Sequence, residues 1–279
     1  MDKEKKVILI TGCSSGIGFD AATTLAKRGH RVIATCRKQE DVKKLQLLGL
    51  EVVILDLNDP SSIDFAVNSV LKITNGKLDI LVNNAGYGQI GALEDVPYNV
   101  LVDQFKTNVF GLMELSRLVI PVMRKQNHGR IINISSILGL ISLPLKGAYN
   151  ASKYAVEGLS DTLRLELKSA GIQVITIEPG PIESLWSHTL TDTFKNIDVQ
   201  NSVYKNQYKA MMSGATQKKS DSFFTKKSSA VTKKLVHAIE AKFPRTKYKV
   251  TFIAGFFAFL KRILPASFLD RFILLVSNR

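Results

Sequence analysis

Tyr149 and Lys153 stand four residues apart in GAYNASKYA, a run of small residues that reads as helix. Side chains at that spacing lie one turn apart on the same helical face. A tyrosine hydroxyl titrates near ~10 and a neighbouring ammonium favours the phenolate, so the pair suits proton transfer at a substrate oxygen. Two residues alone are better explained as an idle surface pair, and what else converges there decides. Ser136 closes the apolar run RIINISS, and twelve residues separate it from Tyr149, enough for a loop that returns to begin the next helix. A hydroxyl arriving there can donate to a carbonyl oxygen as negative charge develops on it. Nucleophilic Ser/His/Asp chemistry fits poorly: no G-x-S-x-G elbow occurs, and neither His128 nor His188 holds a triad position.

A second group of residues is suited to holding a dinucleotide. The first apolar run leads directly into TGCSSGIG, where Gly12, Gly16 and Gly18 would allow a tight turn, close approach of backbone to a pyrophosphate, and a helix N-terminus aimed at its charge. Cys13 within this loop reads as a small filler residue. The next strand ends in ATCRK, offering Arg37 and Lys38 where an acidic residue would otherwise hold a ribose with free hydroxyls. A guanidinium binds a 2′-phosphate by charge-assisted bonds of about 1.5–3 kcal/mol each, so the expected cofactor is NADP(H) rather than NAD(H). Asp56, in VVILDL, is placed to accept from an adenine amino group. NNAG, Asn83 to Gly86, ends a fourth strand where the strand order should reverse, with Asn84 and Gly86 facing the cofactor and Asn83 read as structural.

The elements that must position these groups follow from periodicity. KVILIT, HRVIATC, LEVVILDL, LDILVNNA, GRIINISS and IQVITIEP are apolar on both faces, as in a parallel sheet covered by helices. Helical patterns alternate with them, for example IGFDAATTLAKRG closing on Gly29, which predicts a doubly wound α/β fold. A seventh strand is expected at KYKVTFI, and residues 181–228, rich in Ser, Thr, Asn and Lys, read as a substrate loop with one or two short helices. The 279 residues suffice for one domain with a substantial core. The two cysteines and four scattered histidines show neither disulfide nor metal-ligand spacing, and the leader MDKEKK is no signal peptide, so a cytoplasmic chain is expected. Charge is uneven: 22 Lys and Arg stand against 21 Asp and Glu through Gln200, and 16 against 3 beyond it. No recognition motif accompanies that charge, which argues against nucleic acid. Residues 250–279 form an apolar, basic extension whose longest uncharged run is 11 residues, against the ~20 needed to span a bilayer. It is expected to form short amphipathic helices that close the substrate pocket or pack on another subunit. Peripheral attachment to an anionic membrane and recognition of a phosphate-bearing substrate are the alternatives.

In order along the chain, TGCSSGIG, Asp56, NNAG, Asn108, Ser136, YNASK and PGPI resemble the short-chain dehydrogenase/reductase family over residues 6 to about 184. CRK, GLISLPLKGAYNASKYA and IEPGPI look most like its bacterial NADP-dependent aldehyde reductases, near the retinol and hydroxysteroid dehydrogenases. The resemblance implies a Rossmann-type sheet and a catalytic set of Asn108, Ser136, Tyr149 and Lys153. Ser136 would bond the substrate oxygen, Tyr149 would act as acid or base, and Lys153 would lower the tyrosine's pKa and bond the nicotinamide ribose. Asn108 would hold a water linking Lys153 to solvent. It further implies cofactor contacts from Ser14, Ser15, Ile17, Leu57, Ala85, Pro179, Gly180, Ile182 and Ser184, the last standing where the family often has Thr. The implied activity is hydride transfer between NADP(H) and an apolar aldehyde, ketone, retinoid or steroid-like substrate, in a homodimer or homotetramer. A non-catalytic NADP-binding regulator and an epimerase or dehydratase are the rivals.

Overall fold

The computed structural model describes residues 5–183, 192–216 and 225–277. Among them are seven strands: β1 (Val7–Ile10), β2 (Arg31–Cys36), β3 (Glu51–Ile54), β4 (Ile80–Asn83), β5 (Gly129–Ile134), β6 (Ile172–Glu178) and β7 (Lys247–Lys249). They form one sheet in the order β3-β2-β1-β4-β5-β6-β7, every pairing parallel. The sheet is therefore the doubly wound Rossmann type, reversing direction between β1 and β4.

Alternation along each strand divides the core into two layers. Ile8, Ile10, Val82 and Ile132 face α1 (Gly16–Lys27), α2 (Gln39–Leu47) and α8 (Ser228–Glu240). Val7, Leu9, Leu81 and Ile131 face α3 (Pro60–Ile73), α5 (Leu112–Gln126) and α6 (Gly147–Glu166). Both faces are covered, which is why the strands read as unbroken apolar runs. Each fully buried Ile or Leu contributes about 1.5–3 kcal/mol. The helices begin and end on local signals. Asp59 caps α3 by accepting from the Ser61 amide at 2.9 Å, with Pro60 at the first helical position. As expected, α1 stops at a left-handed glycine, Gly29 at φ +88°.

The predicted seventh strand is shorter than its apolar pattern. It ends at Lys249, because the Thr251 hydroxyl accepts from the Ala254 amide at 3.2 Å and caps α9 (Phe252–Ile263). α10 (Ala266–Ser277) follows, so the extension is a pair of short helices, as expected. Its inner residues Ala254, Phe257, Leu269 and Ile273 bury against Ile137, Leu138 and Ile141, the segment that follows β5. Within the predicted substrate loop, α7 (Lys205–Thr216) packs Tyr208 with Phe194 and Ile197 on Ile90. The Tyr208 hydroxyl donates to Asp95 at 2.6 Å and accepts from the Ala92 amide at 2.8 Å, tying the loop to the chain after β4.

Candidate active site

Where the strand order reverses, β1 passes into the glycine loop. Gly12 has φ +70°, and a Cβ on it would meet the Ala85 Cα at 2.9 Å, so both handedness and space require glycine. A Cβ on Gly18 would collide with the Gly12 carbonyl and with Asn84 Nδ2, the latter at 2.5 Å. Asn84 holds this approach by donating from Nδ2 to the carbonyls of Thr11, at 2.9 Å, and Gly12, at 3.1 Å. Ser15 enters α1 in extended conformation without a side-chain cap, leaving the first-turn amides around Gly16, Ile17 and Gly18 without intrahelical carbonyls to meet. A glycine cradle ending in open helix amides fits a dinucleotide pyrophosphate.

The other residues proposed to hold a dinucleotide lie around this edge. Ser14 is exposed, and Ile17 is half-buried against the core. Arg37 and Lys38 are exposed beyond β2, Lys38 Nζ lying 3.7 Å from Glu40. The Asp56 carboxylate accepts from the Asn58 amide at 2.9 Å, and Leu57 is buried against Gly111. Ala85 follows Asn84, and Gly86 is exposed with the Asn108 carboxamide beneath it. Pro179 accepts from the Ile137 amide at 2.8 Å, Gly180 abuts Thr251, and Ile182 bridges to Lys226. Ser184 lies outside the described residues. Asn83 is structural, as read: fully enclosed, it donates to Ser116 Oγ at 3.0 Å and Asn133 Oδ1 at 2.9 Å.

The four residues of the implied catalytic set come from three elements and meet at one place. Ser136 leaves β5, and its Oγ accepts from the Leu138 amide at 3.1 Å, which fixes the oxygen and keeps its hydrogen for another partner. Tyr149, on α6, forms a side-chain hydrogen bond with Ser136. Lys153 is buried one turn on, its Nζ 5.8 Å from the centre of the Tyr149 ring and donating to the Ile134 carbonyl at 2.8 Å. Asn108 sits in a π turn, Lys106–Gly111, between α4 (Tyr98–Phe105) and α5. Its Nδ2 donates to the Tyr87 carbonyl at 2.8 Å and to Ser152 Oγ at 3.1 Å, and Ser152 in turn donates to the Tyr149 carbonyl at 2.8 Å. Single π turns are frequent at functional sites.

A model of the family described as short chain dehydrogenase matches residues 6–194. This chain belongs to the short-chain dehydrogenase family. It is 38% identical over 267 residues to the uncharacterised oxidoreductase YbbO of Escherichia coli, covering 96% of this chain and 93% of that one. It is 33% identical to retinol dehydrogenase 16 of Rattus norvegicus, covering 97% of this chain and 86% of the relative. Among solved structures, a serine dehydrogenase complexed with NADP+ superposes with TM-score 0.75 at 25% identity, covering 88% of this chain and 95% of that one. The short-chain dehydrogenase is thus an oxidoreductase with a Rossmann sheet.

Electrostatics in this dehydrogenase depart from one sequence expectation. Burial pushes the Tyr149 phenol up to about 12, while the Ser136 hydrogen bond draws it down by less. Proximity to Lys153 does not bring the phenol below its ordinary value, and burial brings that ammonium down to about 8, with Glu157 opposing. Desolvation of both groups outweighs their proximity. Behind them Glu157, one further turn along α6, accepts from Lys247 Nζ at 2.9 Å, and Glu178 ends β6 wholly buried. Burial, then repulsion from Glu157, pushes Glu178 up to about 7, against the pull of Lys247 and Lys249. Cys13 is enclosed and its thiol pushed up to about 12, in keeping with a filler role.

Three supporting residues escaped the sequence reading. The Thr11 hydroxyl accepts from the amides of Asn84 and Ala85, each at 2.9 Å, and nothing local to Thr11 signals it. Ser152 links Asn108 to α6 and was visible only as one more small residue. Glu157 had a signal, its four-residue spacing from Lys153. Beside the site, a cavity of about 790 Å³ is lined by Leu93, Leu143, Leu145, Tyr204, Ile273 and Leu274 among others.

Proposed function

We propose that this dehydrogenase reduces an apolar aldehyde or ketone with NADPH, Tyr149 supplying the proton. The observation that carries this reading is the Tyr149 hydroxyl bonded to Ser136 with the Lys153 ammonium one turn behind it, at the sheet edge where the strand order reverses. The glycine cradle and Asn84 to Gly86 would hold a reduced nicotinamide nucleotide, whose chemistry there would be donation of a hydride. Ser136, its oxygen already held by the Leu138 amide, donates to the carbonyl oxygen as charge builds there. Tyr149 transfers its proton to the same oxygen, giving the alcohol and a phenolate. Lys153, its Nζ 5.8 Å from the ring centre, stabilises that phenolate, and Asn108 positions α6 through Ser152.

The choice of NADP(H) rests on Arg37 and Lys38 beyond β2, and the relative solved with NADP+ supports it. An apolar substrate is supported by the apolar cluster against which Tyr149 packs, which includes Ile137, Leu138, Phe257 and Leu269, and by the likeness to a retinol dehydrogenase. The test is NADPH consumption across aldehydes and ketones of graded chain length, run in parallel with Tyr149→Phe. Turnover that rises with chain length and disappears in the variant, with NADPH fluorescence still reporting binding, is expected. Undiminished reductase activity in Tyr149→Phe would refute the assignment.

A further inference from the structure

The C-terminal helix pair has an outer face that the fold does not use. On α9, Phe252, Phe256, Phe259 and Ile263 fall at helical spacing and are 80%, 39%, 59% and 56% exposed. Phe252 and Phe256 stack at 6.2 Å, and Phe256 meets Phe272 of α10 at 6.1 Å, so the row continues across the pair. One turn either side of Phe272, Phe268 and Leu275 are 60% and 68% exposed. An apolar row of this kind is uncommon on a surface that meets only water.

Cations flank it. Arg262 ends α9, Arg271 lies on α10 and Lys249 precedes α9, all exposed, with Asp270 the acidic residue among the described residues of the pair. Lys261 is also exposed, its Nζ 2.8 Å from the Tyr154 hydroxyl. This sits in the quarter of the chain where basic residues outnumber acidic ones 16 to 3. The shape is convex helix, not groove, which suits a soft surface. Each helix has 12 residues, about 18 Å of rise, against a hydrocarbon core of about 30 Å. Among the described residues no helix is long and apolar enough to cross a membrane. Such a face lies in an interface with its rings among acyl chains and its cations at headgroup level. A second copy of the same chain is a poorer occupant, since a two-fold contact would set Arg262 and Arg271 against their own kind.

We infer that the exposed aromatic face of α9 and α10 docks this enzyme on an anionic bilayer surface. The inner face of the pair packs on the segment following Ser136, so docking places the bilayer beside the wall of the active site.

The experiment is co-sedimentation of the full chain with vesicles of phosphatidylcholine, alone or mixed with phosphatidylserine, at low and high salt. Binding to the mixed vesicles that falls away at high salt is expected. Arg262→Gln with Arg271→Gln is expected to weaken it about twentyfold, and Phe252→Ser with Phe259→Ser at least tenfold. Circular dichroism and thermal melting of both variants should match the parent, because the replaced side chains are exposed. Three outcomes overturn the inference: no binding to mixed vesicles, binding equal with and without phosphatidylserine, or binding unchanged in both variants. A dimer that the phenylalanine variant dissociates, with no vesicle binding, assigns the face to a second copy instead. The assay reads no turnover, so its failure leaves the reductase reading untouched.

Discussion

The glycine loop after β1 and the C-terminal helix pair are specified in opposite ways. At Gly12 and Gly18 there is no room for one more carbon, because the backbones of β1 and of the chain after β4 are already in contact. At Phe252 and Phe259 the rings stand largely in solvent, and the fold would accept many residues there. The first region is defined by what it excludes, a property of backbone geometry. The second is defined by the chemistry it displays, which only a partner reads. Between them stand Ser136, Tyr149 and Lys153, held from one side by the sheet and covered from the other by the helix pair.

The sharpest break in this comparison is Tyr149→Phe, which removes one oxygen from the meeting point of the two regions. Steady-state kinetics should show kcat lower by about 10²–10⁴, with nucleotide affinity held by the glycine loop. In the parent, reduction should decline as pH rises through about 8, where Lys153 loses its charge, and a pH–rate profile of kcat reads this.

Glu178 lies at the junction, its carbonyl accepting from the Val250 amide at 3.2 Å on the way to α9. Its carboxyl is raised from 4.5 to about 7 in the fold. The unfolded chain therefore releases this proton first as pH rises from about 4.5 to about 7, and the folded state loses stability through that window. The loss is of order 3 kcal/mol. Glu178→Gln, followed by urea denaturation at several pH values, should abolish that pH-dependent loss.

Three smaller effects separate the regions directly. Gly18→Ala should cost about 1–3 kcal/mol in melting experiments by forcing the Gly12 and Asn84 contacts apart, and should weaken nucleotide binding as well. Arg37→Ala, on an exposed side chain, should leave stability alone and raise the NADPH Michaelis constant roughly ten- to a hundredfold. An unchanged constant would return the basic pair beyond β2 to solvent. Phe259→Ser should change stability by no more than about 0.5 kcal/mol, the value for a surface position. A larger loss would mean that the helix pair is part of the core rather than a displayed face.

How far the molecule was legible in its sequence depended on the range of the physics. Strands such as VILI and RVIATC declared themselves because burial on both faces demands apolar residues at consecutive positions. Gly12, Gly16 and Gly18 were legible because a turn of that handedness and tightness admits one residue type. The run KYKVTFI misled because a β-branched pattern does not reveal that a threonine hydroxyl will cap a helix instead. Thr11 and Ser152 were silent: their partners lie 73 and 44 residues away, and hydroxyls carry no signal of their own.

The sequence by itself determined the order of strands and helices, the dinucleotide loop, and the Tyr–Lys spacing, since each is set by local sterics or by periodicity. Only the tertiary structure decided how those groups are charged and which surfaces they meet. Burial raises Tyr149 and Glu178 and lowers Lys153 because water is removed by elements distant in the chain. It likewise turns one side of the C-terminal helices inward onto Ile137 to Ile141 and leaves the phenylalanine side facing out. Desolvation depends on every neighbour at once, and no single stretch of residues carries it.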